Sequence, residues 1–426
     1  MIALAAFFVL GAVLGGQINH ATYRFAFFRN PAISPWMKKD PRAGKRTFCD
    51  YLPLIGWTTL IREEKIHGSL FWLRPLLVEI FWGFAAAWLY LFHCEPPSGM
   101  VAEGVSVPNA EVTQWVWFGT QLIIFSLLAV ATLIDFDEFM IPDQVTIPGV
   151  LISVITVAAY PAVALPDENS ALRQALPMTF ATPLDPPTFW NGSTGLLAAI
   201  GCLLFWCFAL IPKVCTFRKG AGMFFPILVA SILRRPRKQQ GAIRIAPRRM
   251  YWGTPVLVLI AILGILSMSL FWQMAEVEHR MGLLSSMFGM AFGMGMIWSI
   301  RIIGRLALGR EAMGFGDVTL MAMIGALVGW QACLPILAVS AILALIISVP
   351  MALINSESTL PYGPYLSMGT VVVVLAWSQV WPGWLKGLFS IYEPQYIFLV
   401  LVGMTVPMFV LLLITRFVKE RLIGIR

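Results

Sequence analysis

Charged side chains are scarce in this sequence of 426 residues, in which Asp, Glu, Lys and Arg together make up 12% and hydrophobic residues 58%. Soluble globular proteins carry about 25% charged residues, so the composition excludes that class. The mean hydropathy of +0.79 agrees. Apolar runs recur along the whole chain, and about 20 such residues are enough for a helix to cross a membrane. We therefore predict a polytopic integral membrane protein.

Cysteines are also few, and none of the six forms a Cys-x-x-Cys pair. Most of them lie in or beside apolar runs, where a buried cysteine usually acts as a small hydrophobic residue. This spacing predicts neither a disulfide framework nor a zinc site. The first apolar run also lacks a preceding basic segment and a small-residue cleavage motif, so we interpret it as an anchor rather than a signal peptide.

Eleven apolar runs are candidates for transmembrane helices. Backbone amides find no partners in lipid, so these runs must be helical rather than open strands. The predicted fold class is all-α, a polytopic membrane bundle of eleven transmembrane helices. The runs lie near residues 2–18, 71–93, 115–135, 142–164, 193–213, 252–273, 283–304, 318–331, 334–354, 363–382 and 396–415.

Lys and Arg are concentrated in alternate loops, and positively charged loops stay on the cytoplasmic side of a membrane. If the N-terminus is outside, the loops 19–70, 214–251 and 301–317 and the C-terminal tail carry 26 of the 30 basic residues, with Lys213 at the edge of the second loop counted in. We therefore predict an outside N-terminus and a cytoplasmic C-terminus. The net charge of +8 then reflects membrane orientation. No nucleic-acid partner is expected, because the basic run at 234–250 lies between two spans.

Four acids fall within nine residues where one apolar run ends and the next begins, in LIDFDEFMIPD. A carboxylate within a membrane costs about 2.5 to 3.5 kcal/mol, so an acid at a span boundary calls for a reason. Asp135 is the candidate functional acid. We interpret Asp137 and Glu138 as acids of the headgroup region, and Asp143 as having a positioning role at most.

A second acid ends the sequence Gly314-Phe315-Gly316-Asp317, a GxGD pattern directly before a short apolar run. Its glycines allow the backbone to turn tightly and to approach another chain closely. Four predicted spans separate this acid from Asp135, and an even number of crossings returns it to the same face. Two neighbouring carboxylates cannot both ionise easily, so one keeps a proton while the other acts as a base. Such a pair can activate a water and protonate a leaving amine, which is aspartic peptidase chemistry.

Three segments in combination resemble the type IV prepilin peptidases, GxGD-type aspartic endopeptidases of the bacterial inner membrane. They are LIDFDEFMIPDQVTIPGVL, GREAMGFGDVTLMAMIGALVGWQ and LPYGPYLSMG, in the family's order. The resemblance implies catalytic roles for Asp135 and Asp317. The N-terminal part is similar more loosely, through Gly15, Asn19, Arg24 and Glu79. Motif or positioning roles are implied for Gly314, Gly316, Asp143, Gly363 and Pro364.

Enzymes of this family cut the basic leader from type IV prepilins or pseudopilins at the cytoplasmic face, just after a glycine. The resemblance thus implies prepilin or pseudopilin substrates, an inner-membrane location, and pilus or type II secretion assembly proteins as further partners. No cofactor is expected for proteolysis. Two other classes stay open on the residues alone: a non-catalytic pilus or secretion assembly scaffold, and an ion-coupled transporter, since intramembrane acids also mark ion pathways.

The chain departs from the family's pattern in three places. Many members carry two zinc-binding Cys-x-x-Cys pairs in the first cytoplasmic loop, whereas only Cys49 is present here, so we predict no zinc. The altered lobe also argues against the family's N-methylation with S-adenosylmethionine. An inserted segment near 165–282, with the basic loop 214–251, separates the two acids. The expected divisions are an N-terminal unit at 1–93, a peptidase core at 115–382, and an extra span with a basic tail at 383–426.

Overall fold

The computed structural model describes residues 2–26, 33–94, 110–163, 165, 188–211, 254–308, 313–354 and 361–380. Within these ranges all regular secondary structure is helical and no strand is present. The predicted all-α class is therefore confirmed for this part of the chain. The predicted span at 396–415, the basic loop 214–251 and the C-terminal tail lie outside the described residues.

Ten helices of 13 to 32 residues make up the framework of the described chain. Seven of them are long and apolar enough to cross a membrane, while α4, α8 and α10 are shorter apolar helices. The helices are α1 (Ile2–Phe25), α2 (Leu73–Cys94), α3 (Ala110–Glu138), α4 (Asp143–Ala159), α5 (Ser193–Leu210), α6 (Thr254–Met274), α7 (Val277–Leu308), α8 (Phe315–Val328), α9 (Trp330–Ile354) and α10 (Gly363–Leu375).

Helix ends differ from the predicted span ends in both directions. Helix α7 continues to Leu308, so Arg301 lies in a helix and not in the predicted cytoplasmic loop 301–317. Helix α8 stops at Val328, short of the predicted 331, because Gly329 takes a φ of +80°, a conformation that glycine adopts readily and that does not continue a right-handed helix. Apolar runs thus predict where helices lie, whereas backbone hydrogen bonding and turn residues decide where they end.

Helix α8 is the central helix, and every residue from Asp317 to Val328 in it is buried. It packs against α4, α7, α9 and α10. Its approach to α7 is close because small residues face each other: a Cβ on Gly289 would lie 2.2 Å from the carbonyl oxygen of Gly325. A Cβ on Gly293 would lie 2.7 Å from the carbonyl oxygen of Met321. Gly289 and Gly293, a GxxxG spacing, therefore serve helix packing.

Helices α1 and α2 and the lobe between them meet at Glu79, a buried acid of α2. Its carboxylate accepts hydrogen bonds from the Trp57 indole, at 2.7 Å, and from the Leu54 backbone amide, which both belong to the lobe between α1 and α2. On α1, the Asn19 amide donates to the Pro75 carbonyl at 2.9 Å. The polar residues that resemble the family's N-terminal motif thus join α1, α2 and the lobe.

Short helical turns build the lobe, at Phe48–Tyr51, Ile55–Thr59, Leu60–Glu63 and Glu64–His67. Asp50 is 1% exposed and lies among three donors. Burial opposes ionisation of this acid, but hydrogen bonds from the Arg62 guanidinium, the Thr47 amide and the Thr59 hydroxyl lower its pKa to about 2. Ion pairing and hydrogen bonding therefore help to hold the lobe together.

Candidate active site

Asp135 lies in the last turn of α3 and is 5% exposed. One of its carboxylate oxygens accepts a hydrogen bond of 3.0 Å from the backbone amide of Gly363, the first residue of α10. A Cβ at position 363 would lie 2.6 Å from that oxygen, so only glycine leaves room for it. Pro364 occupies the next position, where a missing N–H costs nothing and φ suits a helix start. The N-terminus of α10 thus presents an amide and a favourable dipole to the Asp135 carboxylate.

Asp317 lies in the first turn of α8 and is also 5% exposed. Its carboxylate accepts the backbone amide of Gly314 at 3.1 Å, a self-capping arrangement at the start of the helix. Between them, Gly316 packs against the turn before α4, and a Cβ there would lie 2.8 Å from Cβ of Ile141. The glycines of the GxGD pattern therefore satisfy one carboxylate oxygen and permit close backbone packing.

The structure brings the two acids together. Asp317 interacts electrostatically with Asp135, although they belong to α8 and α3. Ile141 links their surroundings, because it contacts Gly316 and would also meet a Cβ on Gly363, with its Cδ1 2.8 Å away. Two buried carboxylates, each bound by a backbone amide at a helix N-terminus, form the centre of the candidate site.

Arg301 is a site residue that sequence reasoning missed. It is 8% exposed on α7 and interacts electrostatically with Asp317. Its guanidinium carbon lies 5.6 Å from the ring centroid of Phe315, within cation–π range. An arginine within the apolar run MIWSIRIIG was the available signal, since a charge in a membrane-length helix needs a partner.

The remaining acids of the first motif have different surroundings. Asp137 forms an ion pair with Arg74 of α2, with 2.8 Å between nitrogen and oxygen, a contact that the interpretation of Asp137 as a headgroup acid did not include. Asp143 is exposed at the first position of α4, directly after Pro142. A carboxylate there complements the helix dipole, and we keep the prediction that Asp143 has a positioning role at most.

The lobe does not provide a set of zinc ligands in the described residues. No group of three or more His, Cys, Asp or Glu side chains there is arranged to hold a metal ion. Cys49 is exposed and is the lobe's lone thiol. Since structural zinc needs four ligands such as Cys and His, these side chains do not fit a zinc site, and the absence of zinc stays a prediction.

Residues 249–349 match the model of the type IV leader peptidase family. Over this segment the chain is similar to the type IV leader peptidases. The matched segment contains Arg301 and the GxGD pattern with Asp317, whereas Asp135 lies before it.

Curated leader peptidases are similar over a limited length. The chain is 35% identical over 123 residues to a prepilin leader peptidase/N-methyltransferase of Pseudomonas aeruginosa, and 33% identical over 128 residues to one of Stutzerimonas stutzeri. These alignments cover 27% and 28% of this chain and 42% and 44% of the relatives. The chain thus spans less than half the length of these curated relatives. No solved structure matches it.

Proposed function

We propose that this chain is a membrane aspartic endopeptidase that removes the basic leader of type IV prepilins or pseudopilins at the cytoplasmic face. The observation that carries the proposal is the pair Asp135 and Asp317, two buried acids that interact electrostatically and are each bound by a backbone amide. Similarity to leader peptidases supports the substrate class.

The chemistry needs one ionised and one protonated carboxyl group, which neighbouring acids in a low-dielectric site favour. The ionised carboxylate takes a proton from water while the water oxygen attacks the carbonyl carbon of the peptide bond. The protonated acid gives its proton to the carbonyl oxygen. When the tetrahedral intermediate collapses, the C–N bond breaks and the leaving amine takes up the proton that the first carboxylate had received from water. One hydroxyl of the intermediate gives its proton to the second carboxylate, so the product is a carboxylic acid and the pair again holds one proton. Proton transfer by positioned groups of this kind typically contributes about 10² to 10⁴ in rate.

The proposal includes a membrane orientation, a multi-pass inner-membrane location and eleven crossings. The positive-inside rule assigns the basic lobe to the cytoplasm. The ion pair between Arg74 and Asp137 joins the lobe-proximal start of α2 to the end of α3 that carries Asp135. The candidate site therefore lies at the same membrane face as the lobe. The proposal also includes a peptidase core at 115–382 with an inserted segment near 165–282, and an N-terminus outside.

Substrate processing is the test of this proposal. The full chain is co-expressed in membranes with a protein that carries a basic leader, a glycine and an apolar stem, and the product's N-terminus and mass are determined. Wild type should cut after the glycine, whereas Asp135→Asn and Asp317→Asn should each lose cleavage while still inserting, because neither amide can serve as acid or base. Asp143→Asn, the matched change at an exposed acid, should lose less.

Two results would change the assignment. Full cleavage by the Asp317→Asn variant would remove that acid from the catalytic pair, and loss confined to Asp143→Asn would move the first catalytic acid to that position. The product mass also tests methylation: we propose cleavage without it, and a product heavier by one methyl group would show that the lobe retains the transferase activity named for the relatives.

A further inference from the structure

Arg74 of α2 binds the end of α3 at one position before Asp135 and at another position after it. Its Nη1 donates to both carboxylate oxygens of Asp137, at 2.8 and 2.9 Å. Its Nη2 donates to the backbone carbonyl of Leu133 at 3.2 Å. These two partners lie two positions after and two positions before Asp135. One guanidinium on α2 thus holds the segment of α3 that carries the acid.

The end of α3 turns sharply a few residues after Asp135. The helix stops where Phe139 takes a φ of +53°, a left-handed conformation that is uncommon for a residue with a large side chain. The Phe139 amide donates to the carbonyl of Asp135 at 2.9 Å and closes the turn. A cation near the last carbonyls of a helix also compensates the negative end of the helix dipole, and Arg74 occupies such a place.

We propose that Arg74 is a positioning residue for Asp135, which it holds in register with the N-terminus of α10 through Asp137 and the Leu133 carbonyl. This inference rests on the proposed function, because it assigns Asp135 a catalytic role. Arg74 acts at a distance from the acid's own carboxylate, which is bound by Gly363. Replacing Arg74 should therefore shift Asp135 and leave the groups that bind the substrate unchanged.

The geometry requires arginine in particular. Two nitrogens at a fixed separation reach two different acceptors, a carboxylate and a carbonyl, whereas a lysine ammonium is a single point of charge. The ion pair is partly exposed, with 36% of the Arg74 side chain and 13% of the Asp137 side chain accessible. Pairs of that exposure contribute little to global stability, so breaking this one should not unfold the protein.

The experiment compares variants of the purified full chain acting on a synthetic peptide with a basic leader, a glycine and an apolar stem. We expect Arg74→Gln and Asp137→Asn each to lower kcat by about ten- to a hundredfold with little change in KM, because a shift of about 1 Å in a reacting group can cost about a hundredfold. The double variant should be no slower than the slower single variant, since both changes break one contact. Arg74→Lys should recover part of the rate.

Arg42→Gln is the matched control, because it breaks the ion pair of Arg42 with Asp40, in which 72% of the arginine side chain is exposed. It should keep the wild-type kcat. A kcat for Arg74→Gln equal to that of the control would overturn the inference. So would a raised KM with unchanged kcat, which would make Arg74 a substrate-binding residue, or a double variant in which the two losses multiply.

Hydrogen exchange separates this inference from the proposed function. In Arg74→Gln, the amides of residues 137–141 should exchange faster than in wild type and in Arg42→Gln, because the grip on the helix end is lost. If wild type and control both fail to cut any peptide, the proposed function fails, and exchange alone decides whether Arg74 fixes the helix end. Unchanged exchange in that segment would contradict the inference whatever the activity.

Discussion

At the scale of single residues, backbone amides in the candidate site offset the free-energy cost of burying two carboxylates. An ion taken out of water loses several kcal/mol of solvation unless other groups replace the water. Asp135 receives the amide of Gly363, and Asp317 receives that of Gly314. Both amides belong to helix starts, where unpaired N–H groups are available. A carboxylate has room for more than one such bond, which leaves capacity for water and a peptide.

Gly363→Ala tests this arrangement at one position. The added methyl carbon would lie 2.6 Å from the Asp135 oxygen and displace it. Cleavage should fall by about a hundredfold, as expected for a reacting group moved by about 1 Å. Gly119→Ala is the matched control, because a Cβ there meets nothing within 4 Å, and its cleavage rate should stay at wild type. Equal rates for the two variants would show that the close approach of Gly363 to Asp135 is irrelevant to activity.

At the scale of elements, hydropathy predicts most of the helices but not their functional ends. The run 283–304 indicated a span, and α7 extends four residues beyond it to Leu308. Arg301 therefore lies against Phe315 inside the bundle and not in a loop. The GxGD pattern correctly indicated a helix start, because the glycine and acid signals for a helix start depend on neighbouring residues in the chain. The pairing of Asp135 with the start of α10 was not predictable, because it joins residues 228 positions apart.

The lobe is the element whose stability should depend on pH. The pKa of Asp50 is about 2, below its ordinary 3.8, because hydrogen bonds from Arg62, Thr47 and Thr59 outweigh burial. A lowered pKa means that this acid stabilises the fold above about pH 4 and that the contribution is lost as the pH falls towards 2. Pepsin, which is active in this range, should therefore cut the wild-type lobe increasingly between pH 4 and pH 2.

Asp50→Asn should be cut readily throughout this range, since its amide carries no charge to lose. Asp40→Asn is the control: the pKa of Asp40 is also about 2, but its hydrogen bonds to Arg42 are exposed and screened by water. That variant should follow wild type. A lobe in Asp50→Asn that resists pepsin at pH 4 as well as wild type does would refute the role of this acid.

At the scale of the whole molecule, the sequence predicts that an even number of membrane crossings separates the two acids. Four predicted spans between the two acids allowed them to meet, and the described structure brings them into electrostatic interaction. Distances, the central position of α8 and the contact of Arg74 with Asp137 depend on how helices pack in three dimensions, which apolar composition alone does not specify. An apolar stripe indicates that one face of a helix is buried, but it does not identify the helix against which that face packs.

Orientation can be measured with thiols on the two sides of the bundle. A variant that keeps Cys49 as its single cysteine presents an exposed thiol on the lobe. A membrane-impermeant maleimide should label it in inverted inner-membrane vesicles and not in intact spheroplasts, because the positive-inside rule assigns the basic lobe to the cytoplasm. Ser193→Cys, at the exposed start of α5 and predicted to face outward, is the matched control and should label in the reverse order. The ion pair between Arg74 and Asp137 joins the lobe end of α2 to the end of α3 that carries Asp135. Labelling of Cys49 from outside would therefore place both acids at the outer face. They would then be away from a leader that stays in the cytoplasm, which would contradict the proposed function.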